Sequence, residues 1–492
     1  MKQNEIKEDL VGIVGQSAVF EDPKIDEKRS LLLGRAPAVR PRYRVMPNDT
    51  EQVQKIVSWA NRTGTPLIPI SSGGTHLNKS SAPSVPESVI VDLSRMNRVL
   101  KIDRRNRLAL IQPGVTHAQL LPELKKEGLR INMPLMPRQG KSVLTSLLER
   151  EPVTSPKFQW NLQEPLRSME IIWGNGDHFY SGSGFFRGEK DSDWQEGIVP
   201  AQGVGAGPSQ VDFYKFVSAA QGSMGIVTWA SVKCEVLPKV RKLFFIPSHN
   251  LENLIDFTYK LLKYRFGDEL FIVNGCCLAN LISKDSDTLA ALKGSLPAWT
   301  VVASFTGADY FPEERVEGQV QDVRDIAQAH GLDMTPAVKG CTGAEMLDLI
   351  QGACQDPHWK SRYKGAAEEI FFLTTLDKTP GFMETVRSLA DEHRFPATDI
   401  GVYLQPGHQG VCCHCEFIFP VDRQNQVEMR TTGALLEAAS RKLFRQGAFF
   451  SRPYGMWAEM VFNADAQAKS ALRKVKDIFD PNHVMNPGKL CF

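Results

Sequence analysis

An α+β architecture of more than one domain is what the sequence predicts, and three observations predict it. The chain has 492 residues, beyond the roughly 250–300 over which a single hydrophobic core keeps growing. Residues 40–110 alternate short strands with a helix, in a β-α-β order that carries a polar, glycine-bearing loop at the exit of the second strand. Between 239 and about 455 the character changes. Long amphipathic stretches such as NLENLIDFTYKLLKYRFG and TGALLEAASRKLFRQG stand beside strand-like LFIVNGCCLANLI, WTVVASF, EIFFLTT and HCEFIFPV, which reads as an antiparallel sheet with helices on one face.

The elements follow in order. RPRYRVMP is extended. NDTEQVQKIVSWANRTG is a helix with Asn48, Asp49 or Thr50 as its cap, Val53, Ile56, Val57 and Ala60 at helical spacing, and Gly64 as its stop. The strand TPLIPI leads into ISSGGTHLNKSSAP at 70–83. Adjacent Gly73 and Gly74 let the backbone turn with positive φ and bring successive N–H groups toward one object, while the hydroxyls of Ser71, Ser72 and Thr75 add donors. Such a loop suits a phosphate. SVIVDLSRM, a hairpin-like VLKIDRRNRLALIQPG and the amphipathic HAQLLPELKKEG come next.

Composition narrows the function classes. Apolar residues make up 42%, charged residues 23%, and the formal charge is +2, with Lys and Arg scattered among acids rather than gathered into a nucleic-acid-binding block. The N-terminus has no apolar signal region and no run approaches the roughly 18 apolar residues that cross a bilayer, so a cytoplasmic protein is expected. The nine cysteines, three of them in CCHC at 412–415, argue for reduced thiols rather than a disulfide framework.

Several separated segments then resemble one family. Strand-helix-strand, the SGGT loop, VIVDLSRMNRVLKID, LALIQPGVT and HAQLLPELKKEG stand in the order seen in flavoproteins of the vanillyl-alcohol oxidase and p-cresol methylhydroxylase type, whose N-terminal half wraps FAD. SVLTSLLER at 142–150 is similar to the segment these enzymes lay along the pyrophosphate and ribitol. SMEIIWGNGDHFYSGSG is similar to their following strand pair, and DFYKFVSAAQGSMGIVTWASVKCEVLP to their helix, Gly turn and strand. FDPNHVMNPGKL resembles their closing motif. The resemblance implies a p-cresol methylhydroxylase-type FAD-binding domain of two α/β subdomains over 1–238, a cap domain with an antiparallel sheet flanked by helices over 239–455, and a segment 456–492 that returns to the FAD domain. It assigns FAD contacts to Ser71, Ser72, Gly73, Gly74, Thr75 and His76, to Pro113, Gly114 and Val115, and to Gly140, Ser142, Val143 and Thr145. Gly222, Ser223, Gly225, Ile226, Val227 and Lys489 complete the set.

The chemistry is less regular. Phenol-oxidising members of the family hold a phenolate with two tyrosines and an arginine. Here Asn78 stands where one tyrosine is expected, and FFSRPYGMW supplies Arg452 preceded by Ser451, leaving Tyr454 as a substitute. Asn78 and Arg452 remain able to anchor a carboxylate or carbonyl. In PGHQGVCCHCEFIFP strand alternation puts His414 and Glu416 on one face with Cys412, and Cys413, Cys415 and Phe417 on the other. His414 is thereby expected as a base with Glu416 orienting it. With His408 the pair also resembles, imperfectly, the metal-binding histidines of D-2-hydroxy-acid dehydrogenases, but no metal is expected. Adjacent cysteines point to opposite faces and no second C-x-x-C exists, which argues against a structural zinc site and for free cysteines buried in a sheet. Thr75 occupies the place of the histidine that would link FAD covalently, so dissociable FAD is expected.

The sequence therefore implies an FAD-dependent dehydrogenase or oxidase that removes a hydride from a C–H next to a hydroxyl or aromatic ring. The substrate expected is a phenolic or aromatic alcohol or an alkylphenol-like compound. A D-2-hydroxy-acid dehydrogenase with a cap metal, and an electron-transfer subunit of a larger complex, are the alternatives. The implied partners are an electron acceptor, such as a cytochrome or other redox protein, and further copies of the chain.

Overall fold

A computed structural model describes residues 3–21, 39–72, 81–157, 165–182 and 213–492. The first sheet has the order Val19–Glu21, Tyr43–Val45, Val89–Asp92, Leu67–Ile70. Both flanking strands of Val89–Asp92 run parallel to it, as a β-α-β start requires. The helix between them, Thr50–Thr63, begins where the Asp49 side chain accepts from the Gln52 N–H at 2.8 Å and ends at Gly64 with φ 68°. Of the three candidate caps, Asp49 is the one in place. Val53, Ile56, Val57, Trp59 and Ala60 are its buried stripe.

The second sheet is antiparallel throughout, in the order Val99–Asp103, Leu108–Ile111, Gly225–Lys233, Leu166–Trp173, His178–Tyr180. Gly225 is required by its own strand. A Cβ there would lie 2.6 Å from the Ile172 carbonyl oxygen across the ladder. The turn at Asn175, Gly176 and Asp177 closes the last pair, with Gly176 at φ 92°.

The third sheet has six antiparallel strands in the order Val240–Ser248, Trp299–Gly307, Leu270–Asn274, Gly401–Gly407, Cys412–Val421, Ala366–Thr374. One face packs Ile370, Phe372, Cys413, Cys415, Phe417 and Phe419 against the long helices Glu252–Tyr264, Pro312–Ala329, Thr379–Glu392 and Gln426–Arg445. The other face is not bare, as the sequence pattern suggested. LFIVNGCCLANLI divides at Asn274, whose side chain caps the helix Gly275–Ile282 by accepting from the Cys277 N–H at 2.9 Å. That helix and Gly343–Ile350 cover part of the second face, packed on Phe245, Phe271, Val273 and Ile418.

After the helix Ala466–Phe479 the chain returns to the first sheet. The Asp480 carboxylate accepts from the N–H groups of Val484 and Met485 at 3.0 and 2.9 Å, and Leu67 of the first sheet donates its N–H to the Val484 carbonyl and accepts from the Asn486 N–H, both at 2.8 Å. Among the described residues no helix is long and apolar enough to cross a membrane.

Candidate active site

Where the three sheets converge lies a cleft, open to solvent, that spans about 1550 Å³ of space not filled by atoms. One end is built from the first half of the chain. Ser71, Ser72, Pro113, Thr145, Gly222, Gly225, Ile226 and Val227 line it together with Pro69, Ile70, Leu144 and Leu148. Ser142 knits this end together: its N–H donates to Ser72 Oγ at 2.8 Å, and its own Oγ accepts from the Thr145 N–H at 3.1 Å while donating to the Pro113 carbonyl. The Ser71 and Thr145 hydroxyls are hydrogen-bonded to each other. Gly222 turns at φ 71° against the Pro69 ring.

The remaining expected cofactor residues support this wall from behind. Gly114 exists for packing, since a Cβ would meet the carbonyl oxygens of Leu93 and Ser94 at 2.7 Å. Val115 and Val143 are buried in the core of the second sheet. Ser223 Oγ donates to the Ala220 carbonyl at 2.6 Å, and Lys489 Nζ donates to Ala82 O and Ser84 Oγ at 2.6 and 3.0 Å. Gly140 is exposed beside the helix that Ser142 caps. Gly73, Gly74, Thr75, His76 and Asn78 lie outside the described residues. The wall offers mainly small, hydroxylated and apolar groups, which fits a planar ring with a ribityl chain, and the same part of the chain adds Arg138, Lys141, Glu149 and Glu151 to the cleft lining.

The opposite wall is highly charged. Register places Glu369, Phe371, Tyr403 and Glu416 on one face of the third sheet, with Phe371 and Tyr403 directly opposite Glu416. His414 shares that face, as the alternation predicts, but it is fully buried and does not reach the cleft wall. Its Nε2 lies 3.0 Å from Glu416 Oε2. Burial lowers the His414 pKa below the usual imidazole value against the pull of Glu416. Glu416 is pushed up by burial, yet the charge of Lys360 and the hydrogen bonds from His414 and Lys360 outweigh this and take it down to about 2. Lys360 is ion-paired with Glu416 and, at 2.8 Å, with Glu369. For Glu369 burial wins, and its carboxyl sits above the ordinary value despite Lys360. A second cluster pairs Lys141 with Glu149 at 2.9 Å and with Glu151.

Arg452 and Tyr454 complete the wall. The Arg452 guanidinium stacks over the Phe371 ring at 4.1 Å and has no hydrogen bond or ion pair with a described residue. Gln221 Nε2 fixes its segment by donating to the Pro453 carbonyl at 2.7 Å. His408 sits in the Gly401–Gly407/Cys412–Val421 hairpin turn, partly exposed, and among the described residues no three His, Cys, Asp or Glu side chains form a metal-binding group.

Sequence reasoning missed Arg138, His358, Lys360 and Glu369. Only Glu369 left a signal, a carboxylate directly before the apolar run IFFL of a strand, where an unpaired charge would be costly. The others come from loops that only the fold brings to the cleft.

The chain is an FAD-linked oxidoreductase with the fold of p-cresol methylhydroxylase. Residues 41–143 match the FAD binding domain family and residues 454–490 match the C-terminal domain of FAD linked oxidases. A D-lactate dehydrogenase of Anaerostipes hadrus is 22% identical over 474 residues, covering 92% of this chain and 90% of the relative. Among solved structures, p-cresol methylhydroxylase with substrate bound superposes with a TM-score of 0.81 at 18% identity, covering 100% of this chain and 98% of the other. 4-Ethylphenol oxidase from Gulosibacter chungangensis, in complex with isoeugenol, gives 0.80 at 18% identity, covering 99% and 96%.

Proposed function

We propose that the chain oxidises a small hydroxylated anion, a 2-hydroxy acid first of all, at the carbon that bears the hydroxyl. The carrying observation is Arg452, a largely buried guanidinium that lines the cleft with no hydrogen-bonding partner among the described residues. Its planar fork matches a carboxylate by two parallel hydrogen bonds. The bound flavin supplies a two-electron acceptor for hydride. As the C–H electron pair departs with the hydrogen, the hydroxyl proton passes to Glu369 and the alcohol becomes a carbonyl. A carboxylate raised by burial is a stronger proton acceptor than Glu416, which Lys360 and His414 hold far down. His414 positions Glu416 rather than meeting substrate, so the base proposed is Glu369 in place of the His414 that the sequence alone suggested. The electrons then pass to a separate acceptor, a redox protein or oxygen.

A second reading has its own observation. Tyr454 lies on the cleft wall close to Arg452, the pairing a phenolate would use. Anaerobic mixing of the holoenzyme with lactate and with 4-alkylphenols separates the two. Flavin bleaching by the hydroxy acid supports the first reading, and bleaching by phenols alone overturns it.

A further inference from the structure

We propose that Arg138 forms a second anion-binding subsite in the same cleft, which makes the substrate class hydroxy dicarboxylates rather than hydroxy monocarboxylates. The inference rests on the reading of Arg452 above and extends it. Arg138 lines the cleft. Its backbone is pinned, because the Gln139 N–H donates to the Cys354 carbonyl at 2.9 Å and the Cys354 N–H donates to the Pro137 carbonyl at 2.7 Å. Its Nε is enclosed without a hydrogen-bond partner, and no described carboxylate forms an ion pair with its guanidinium.

Of the carboxylates that act on it, Asp356 is exposed and forms no ion pair with it, and the buried ones are engaged elsewhere. Glu149 and Glu151 hold Lys141, and Glu369 holds Lys360. A largely enclosed guanidinium left in this state is expensive unless an anion arrives to pair with it. His358 strengthens the subsite: it lines the cleft, its Nδ1 has no partner, and burial followed by the charges of Lys360 and Arg138 keeps the ring neutral. Arg138 and Arg452 both act electrostatically on Glu151 and Glu369, so they share one stretch of the cleft. One substrate carboxylate falls to each arginine, with the hydroxylated carbon between them beside Glu369.

The holoenzyme and its Arg138→Met variant test this with both enantiomers of lactate, malate and 2-hydroxyglutarate, by anaerobic flavin reduction. The expected result is at least a tenfold preference of the wild type for a dicarboxylate in rate over half-saturating concentration. Arg138→Met removes that preference while changing the lactate value less than threefold. No preference in the wild type, or an equal loss on mono- and dicarboxylates, overturns the subsite. Titrating the flavin absorbance with succinate and with propionate tests it apart from turnover: succinate should bind at least tenfold tighter, and only while Arg138 is present. Equal affinities, or a preference that persists in the variant, overturn it even if no hydroxy acid is oxidised. Should Arg138→Met lose FAD, Arg138→Lys, which keeps the charge but not the fork, should bind succinate at an intermediate affinity. Wild-type affinity in that variant counts against the subsite.

Discussion

The guanidinium of Arg452 lies 4.1 Å from the centre of the Phe371 ring. The two come from separate elements, the FFSRPYG segment and the Ala366–Thr374 strand, and both line the cleft. Phe371→Leu keeps an apolar neighbour but removes the π face, a contact worth about 0.5–2 kcal/mol. The half-saturating concentration of an anionic substrate should rise roughly 2- to 30-fold, with FAD content unchanged. Steady-state kinetics on the flavin-loaded variant check it, and an unchanged value would mean that Phe371 only packs.

Glu369 and His414 separate by pH. A base must be deprotonated to act, and the Glu369 carboxyl is raised above its ordinary value by burial, so turnover should climb with pH through a limb lying above 4.5. Glu369→Gln should abolish that limb and reduce flavin reduction by roughly a hundredfold or more. His414→Asn removes the bond to Glu416 without removing a proton acceptor. It should keep the limb and shift its position, and loss of the limb in that variant alone would return the base to His414.

Flavin retention depends on the turn at Gly222. Valine there adopts positive φ at a cost of about 1 kcal/mol or more, and its Cβ meets the Pro69 ring at 2.6 Å. The displaced wall should bind FAD less tightly. Absorbance of the purified Gly222→Val protein at the flavin bands should show less than full occupancy, and a full complement contradicts the placement of the ring.

His117 makes a stability prediction with a definite sign. Burial lowers its pKa to about 4 in the folded chain, whereas the unfolded chain titrates near 6.5. Its contribution is intact above pH 6.5 and is lost as pH falls toward 4, by roughly 2 kcal/mol between pH 7 and pH 5. The drop in melting temperature over that interval should be smaller in His117→Asn than in the wild type.

The readability of the sequence followed the range of the interactions. The Thr50–Thr63 helix, the β-α-β start and the two faces of the CCHC strand are local patterns, set by caps and by alternation, and each is present as read. The face that carries Glu416 was therefore legible, and Arg452 on the wall came from the family resemblance. Which of His414 and Glu416 meets the cleft was not, because both share that face and only the packing of Phe371 and Tyr403 around the imidazole decides it. Arg138 and Lys360 lie more than 200 residues apart in sequence and meet the same space through loops with no periodicity. The helix Gly275–Ile282 was hidden because an apolar run gives the same signal for a buried strand and a buried helix.

The central claim is that Arg452 receives the substrate's anionic group, and the rate of anaerobic flavin reduction in Arg452→Lys measures it most directly. The variant keeps the charge and loses the two-point fork. With a 2-hydroxy acid as substrate, reduction should slow by about tenfold to a thousandfold at every pH while FAD content stays at the wild-type level. Wild-type reduction rates in Arg452→Lys would contradict the claim and leave the guanidinium over Phe371 as a packing feature of the cap.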